Sequence, residues 1–172
     1  MPQPPAQPTR GAPGSAPGPI ARALGNVPGG VWVLTAREED QRLGLLVGAV
    51  QQLGFTPPVV GVAVPKGEAI LPLLSDSGRF ALCQLGEADR RIRRKFSAEP
   101  EGGEDAFLGL KLVEPKQAGV PILHTSVGHL ECVVTRHLDF DGDHDLFVGE
   151  VVGAAFGEGV PVVRLRDDGL QP

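Results

Sequence analysis

The chain has 172 residues and a formal net charge of -5 with a pI near 5.3. That length fits one domain of ordinary size, and that charge argues against nucleic-acid or anionic-membrane partners, which need a positive face. Hydrophobic residues at 41% and charged residues at 22% supply enough apolar material for a packed core, so the expectation is a soluble protein whose partners are small molecules.

Residues 1–19, MPQPPAQPTRGAPGSAPGP, hold one aliphatic side chain larger than alanine, Met1. Such a composition cannot bury enough apolar surface to offset its ordering entropy, so a disordered Pro/Gly-rich tail is expected there and a folded domain over residues 20–172. Pro19 directly ahead of the apolar-spaced Ile20–Leu24 suits a helix start, and Gly25 to Gly30 ends it. From Val31 onward, runs rich in Val, Leu and Ile bounded by Gly, Pro or Asp predict strands near 31–37, 43–53, 59–64, 79–85, 128–139, 145–157 and 161–166. Two segments depart from that rhythm. Residues 68–76 place Ile70, Leu73 and Leu74 at helical spacing, and residues 87–96 place Ile92 and Phe96 four apart beneath a charged face. Residues 97–106 read as an acidic, glycine-containing loop. Many strands with few helices predict a mainly β fold: a closed or split Greek-key antiparallel barrel with two or three peripheral helices, closure hiding the strand edges.

Cys83 and Cys132 lie far apart and belong to no C-x-x-C pair, so the sequence suggests neither a zinc site nor a disulfide framework. No basic segment followed by an apolar run opens the chain and no apolar run approaches the roughly 18 residues that span a bilayer, so the cytoplasm is the expected location. Asp139, Asp141, Asp143, Asp145 and Glu150 occupy positions 1, 3, 5, 7 and 12 of an EF-hand count. His144 stands where that loop needs glycine, however, and the flanks read as strands, so a solvated hairpin turn over Asp141–Gly142 is the better reading. His124, His129, His137 and His144 form no metal-binding spacing, and no metal site is expected. Arg90, Arg91, Arg93, Arg94 and Lys95 either grip a phosphate or form the wet face of a helix, and the wet face is preferred. Neither a G-x-S-x-G nucleophile elbow nor a phosphate-binding P-loop occurs.

The order of several stretches resembles the flavin reductase-like family of FMN-binding split barrels. They are Leu24–Thr35 (LGNVPGGVWVLT), Phe55–Val62 (FTPPVVGV), Ala69–Leu82 (AILPLLSDSGRFAL), Phe107–Gly109, Gly119–Leu123, Leu130–Cys132 and Gly142–Val151 (GDHDLFVGEV). Val64–Ile70 (VPKGEAI) is most similar to the reductase module of flavodiiron proteins. The resemblance implies an FMN cofactor, NAD(P)H as hydride donor, a homodimer, and activity as an NAD(P)H-dependent flavin reductase or electron-transfer flavoprotein. It also implies that the segment Gly44–Leu53 runs beneath the isoalloxazine ring, with Leu46, Val47, Gly48, Ala49 and Val50 binding the cofactor and the backbone of Val47–Val50 facing its polar edge, that Lys66 reaches the phosphate and that Phe107 joins the cofactor contacts. His144 is then placed near the flavin and nicotinamide face as the catalytic residue.

Where the family usually writes G-x-T-x-S-S-F, this chain writes Gly44-Leu-Leu-Val-Gly-Ala-Val50, without the three hydroxyls; Glu68 stands two residues after Lys66, and the chain has no tyrosine. The alternative function is therefore a non-catalytic split-barrel protein that has lost flavin and acts as a binding or scaffold module.

Overall fold

The computed structural model describes residues 16–97 and 105–170. The tail expected over residues 1–19 lies outside them up to residue 15, as does the acidic loop over residues 98–104. In chain order the elements are α1 (Pro19–Gly25), β1 (Gly29–Gly30), β2 (Trp32–Glu38), β3 (Gln41–Val47), β4 (Val50–Phe55), β5 (Pro58–Pro65) and α2 (Ile70–Ser77). These are followed by β6 (Arg79–Gln84), α3 (Arg90–Phe96), β7 (Leu112–Val113), β8 (Ile122–Leu123), β9 (Gly128–Asp139), β10 (His144–Phe156) and β11 (Val163–Arg164). They fall into two compact units, one of Gly30–Val162 and a smaller one joining residues before Gly30 to residues after Val162. In the smaller unit, proline opens α1, where its missing N–H costs nothing. The Ala21 and Gly25 carbonyls of that helix accept hydrogen bonds from Gly169 N–H (2.7 Å) and Arg166 N–H (2.9 Å).

The larger unit is built on one seven-stranded sheet in the order β3-β2-β6-β9-β10-β5-β4, antiparallel at every paired step. This is a mainly β split barrel. Its two edge strands, β3 and β4, are consecutive in the chain, so the sheet curls until its edges meet at the link Gly48–Ala49. The expected continuous strand over 43–53 is thus two strands, because the chain leaves one edge at Val47 and joins the other at Val50. The strand expected over 161–166 shrinks to Val163–Arg164, and β7 and β8, two residues each, were not anticipated.

Alternation along β2 and β6 divides the core between the two faces of the sheet. Leu34, Ala36, Phe80 and Leu82 pack with Val60, Val62, Val64 and Phe147 on one face. Val33, Ala81, Cys83 and Leu85 pack with Ile92, Phe96 and Phe107 on the other. Both faces of these strands are covered, which is why their sequences read as unbroken apolar runs. Helix α2 buries Ile70, Leu73 and Leu74 in the first cluster and ends at Gly78, whose φ of 62° is the left-handed conformation that glycine adopts without strain. Burial of this kind is worth about 1.5–3 kcal/mol per large aliphatic side chain.

Candidate functional site

The link between β3 and β4 presents main chain rather than side chains. Val47 pairs with Trp32 at the end of the β3–β2 ladder, and Val50 resumes pairing with Val62 on β5. Between them Gly48 and Ala49 are exposed, and the Ala49 carbonyl accepts a hydrogen bond from Ala63 N–H at 3.0 Å. The side chains on either side are occupied elsewhere. Val47 is buried, Leu46 packs against the α3 side of the core and Val50 against the opposite cluster. Thus Leu46, Val47 and Val50 fix the segment and the Ala49 carbonyl is held by β5, while the exposed main chain at Gly48 is left open to close approach.

Behind this segment, a Cβ on Gly44 would meet the Phe96 ring at 2.5 Å and the Phe107 ring at 3.1 Å. Phe107, expected among the cofactor contacts, is 1% exposed; its ring packs on Phe96 with centroids 5.3 Å apart and lies beneath the Arg42 guanidinium. The structure therefore puts Phe107 in the core, supporting β3 from the inside.

A second group assembles where β5 ends beside the β9–β10 hairpin. The Ala63–Ala49 bond ties the exposed link to β5 three residues before Lys66, and Pro65 pairs with His144. Lys66 N–H donates to the Asp143 carbonyl at 2.9 Å. The Lys66 ammonium lies 2.6 Å from Asp139 Oδ1 and 3.8 Å from Asp145 Oδ1. Asp145 Oδ2 is 3.1 Å from His137 Nε2, and the His137 ring stacks on Phe147 at 4.3 Å. His144 Nδ1 is 2.7 Å from Asp143 Oδ1, and the imidazole is about half exposed. Hydrogen bonding to Asp139 raises the Lys66 pKa, and the same contact lowers that of Asp139.

The hairpin itself has the φ > 0 residue at Asp141 (57°), whose N–H is capped by Asp139 Oδ1 at 2.7 Å, so the Asp139–Glu150 run is a strand–turn–strand segment rather than a helix–loop–helix. The resemblance singled out Lys66 for the phosphate and His144 for the flavin and nicotinamide face, and the structure sets them side by side, but Asp139 and Asp145 were not foreseen as partners of Lys66. The EF-hand-like spacing of acids over Asp139–Glu150 was the available signal for them.

Two further features are built from other residues, although Trp32 of the second pairs with Val47 beside the link. Glu131, 1% exposed, accepts hydrogen bonds from the backbone N–H of Lys116, Gln117 and Ala118. Trp32, Gln84, His129 and Phe156 are among the residues lining an open, largely apolar trough of about 310 Å³. None of the expected site residues lines that trough. No helix among the described residues is long and apolar enough to cross a membrane.

Residues 24–166 match the family model for the flavin reductase like domain. The chain is 34% identical over 165 residues to putative diflavin flavoprotein A 3 of Synechocystis, covering 95% of this chain and 27% of that protein. It is 29% identical over 136 residues to an NADH-dependent FAD reductase of Streptomyces globisporus, covering 78% of this chain and 74% of that one. The chain thus spans only 22% to 27% of the length of the diflavin flavoproteins it matches. Among solved structures, a Streptomyces globisporus NADH:FAD oxidoreductase superposes with a TM-score of 0.79 at 26% identity, covering 90% of this chain and 95% of that one. The flavin reductase of styrene monooxygenase from Pseudomonas putida S12 superposes with a TM-score of 0.73 at 26% identity, covering 86% of this chain and 93% of that one.

Proposed function

The chain belongs to the flavin reductase-like family, and on that premise we propose that it binds FMN and takes hydride from NAD(P)H, acting as a flavin reductase or electron-transfer flavoprotein. The observation that carries this reading is the exposed Gly48–Ala49 link, a stretch of bare main chain at the seam of the barrel, tied to the strand that delivers Lys66 and His144. A flat heterocycle needs such a surface, with peptide groups to meet its polar edge and no bulky side chain in its way.

The residues present fit the ring better than the phosphate. Gly48 and Ala49 would meet the isoalloxazine edge, with Leu46, Val47 and Val50 fixing the segment and Phe107 supporting it from within. Lys66 would reach for the phosphate against the opposing charge of Glu68. Bound flavin supplies the redox chemistry, and the protein supplies position and electrostatics. At His144 the Asp143 carboxylate accepts from Nδ1–H, which leaves Nε2 as the ring nitrogen available to a ligand. A homodimer, a single domain over residues 20–172 and a cytoplasmic location complete the proposal. The likeness to reductases over most of the chain supports this reading over a scaffold that has lost flavin.

Titration of the purified chain with riboflavin and FMN, followed by flavin fluorescence, tests the binding. Flavin-dependent oxidation of NADH or NADPH tests the activity. Saturable quenching and nicotinamide oxidation are expected; a chain that quenches no flavin refutes the proposal.

A further inference from the structure

We propose that Asp139 is a specificity-determining residue that competes with the flavin phosphate for Lys66, so that FMN is bound little better than riboflavin. The inference rests on the flavin reading above and adds to it which flavins the site favours.

Three observations at the rim carry it. First, the Lys66 ammonium is already engaged, 2.6 Å from Asp139 and 3.8 Å from Asp145. Second, neither carboxylate can readily swing aside. Asp139 Oδ1 also caps the Asp141 N–H at 2.7 Å, inside the hairpin turn. Asp145 faces Asp139 across the β9–β10 ladder and holds His137 through its other oxygen. Third, Asp145 Oδ1 is buried without a hydrogen bond, 3.8 Å from the Lys66 ammonium, so drawing the lysine away would leave that charge poorly compensated.

A phosphate entering beside Lys66 therefore meets a cation whose charge is already answered, with Glu68 two residues further on. The ammonium has three donors, so a contact with phosphate is still geometrically available. Its electrostatic gain is offset by repulsion from Asp139, Asp145 and Glu68. The ring and ribityl portions, which carry no charge, are untouched by this competition.

The test is a pair of fluorescence titrations, FMN and riboflavin, on the parent chain and on Asp139→Asn. Asparagine keeps an oxygen for the Asp141 N–H, so the turn should survive, and thermal unfolding checks that it does. Asp139→Ser, which also keeps an acceptor, serves if the first variant melts early. In the parent the two flavins should bind with similar affinity. In the variant FMN should tighten about tenfold while riboflavin does not move, and the gain should shrink as salt is raised. If the parent binds both flavins and the variant leaves their ratio unchanged, or if the parent already prefers FMN strongly, the competition is disproved while the flavin reading stands. If the parent binds neither flavin, both fall together.

Discussion

Strand β9 holds a carboxylate near each end, and the two are handled in opposite ways. Glu131, near the start, is 1% exposed and is met by three backbone N–H groups, of Lys116 at 3.3 Å, Gln117 at 2.7 Å and Ala118 at 2.8 Å. Asp139, at the far end, has a side chain 55% exposed and is met by a lysine ammonium. Backbone donors cannot leave without unfolding the loop that carries them, so Glu131 is committed to the fold. A lysine on a flexible stem can change partners, so the Asp139 end is the one where a ligand can take part.

That contrast predicts where mutations act. The largest effect should come from Glu131→Ala, which leaves the N–H groups of Lys116, Gln117 and the buried Ala118 without their acceptor and should cost about 2 kcal/mol or more. A urea midpoint well below the parent's checks it, and an unchanged midpoint would mean that water can replace the carboxylate.

Acid should expose the same group. Burial pushes the Glu131 carboxyl up, but the hydrogen bonds from Ala118, Gln117 and Lys116 outweigh it and hold the group below its ordinary value of 4.5. A carboxyl depressed in the folded state contributes stability that is fully present above the unfolded value and is lost as pH falls through the folded one. Unfolding free energy should thus decline as pH drops below about 4.5, and Glu131→Gln should flatten the decline more than Asp139→Asn, whose group is exposed and screened.

The rim should respond in affinity rather than in stability. Lys66→Ala is expected to weaken FMN about tenfold and Glu68→Arg to tighten it by a similar factor, with riboflavin indifferent to both. The melting temperature of Glu68→Arg should stay close to the parent's, and that of Lys66→Ala, which leaves Asp145 Oδ1 without its nearby cation, should fall less than that of Glu131→Ala. Variants that shift stability and leave FMN unmoved would reverse the assignment of the two ends.

Much of the fold was legible because both faces of the sheet leave a trace in the sequence. The limits of β9 coincide with the expected 128–139, and α2 announces itself through Ile70, Leu73 and Leu74. The break at Gly48–Ala49 was hidden, since the apolar run continues through it and only the meeting of two sheet edges forces the chain to step across. Strands β7 and β8 depend on tertiary contacts, such as Leu123 N–H donating to Cys83 Sγ at 3.4 Å and, just ahead of β8, the Thr35 hydroxyl donating to the Pro121 carbonyl at 2.6 Å, which no local pattern encodes. At the candidate site, Lys66 and His144 were named only through the family resemblance. The Lys66–Asp139 pair, 73 residues apart, depends on the register of β10 between β5 and β9.

The central claim is that flavin lies on the Gly48–Ala49 link, and amide chemical shifts measured during a riboflavin titration test it most directly. Riboflavin lacks the phosphate, so the result does not depend on Lys66. The account predicts that the largest shifts fall on Val47, Gly48, Ala49 and Val50, with smaller ones at His144. Shifts gathered instead around Gln84, His129 and Phe156 would place the flavin in the apolar trough and contradict it.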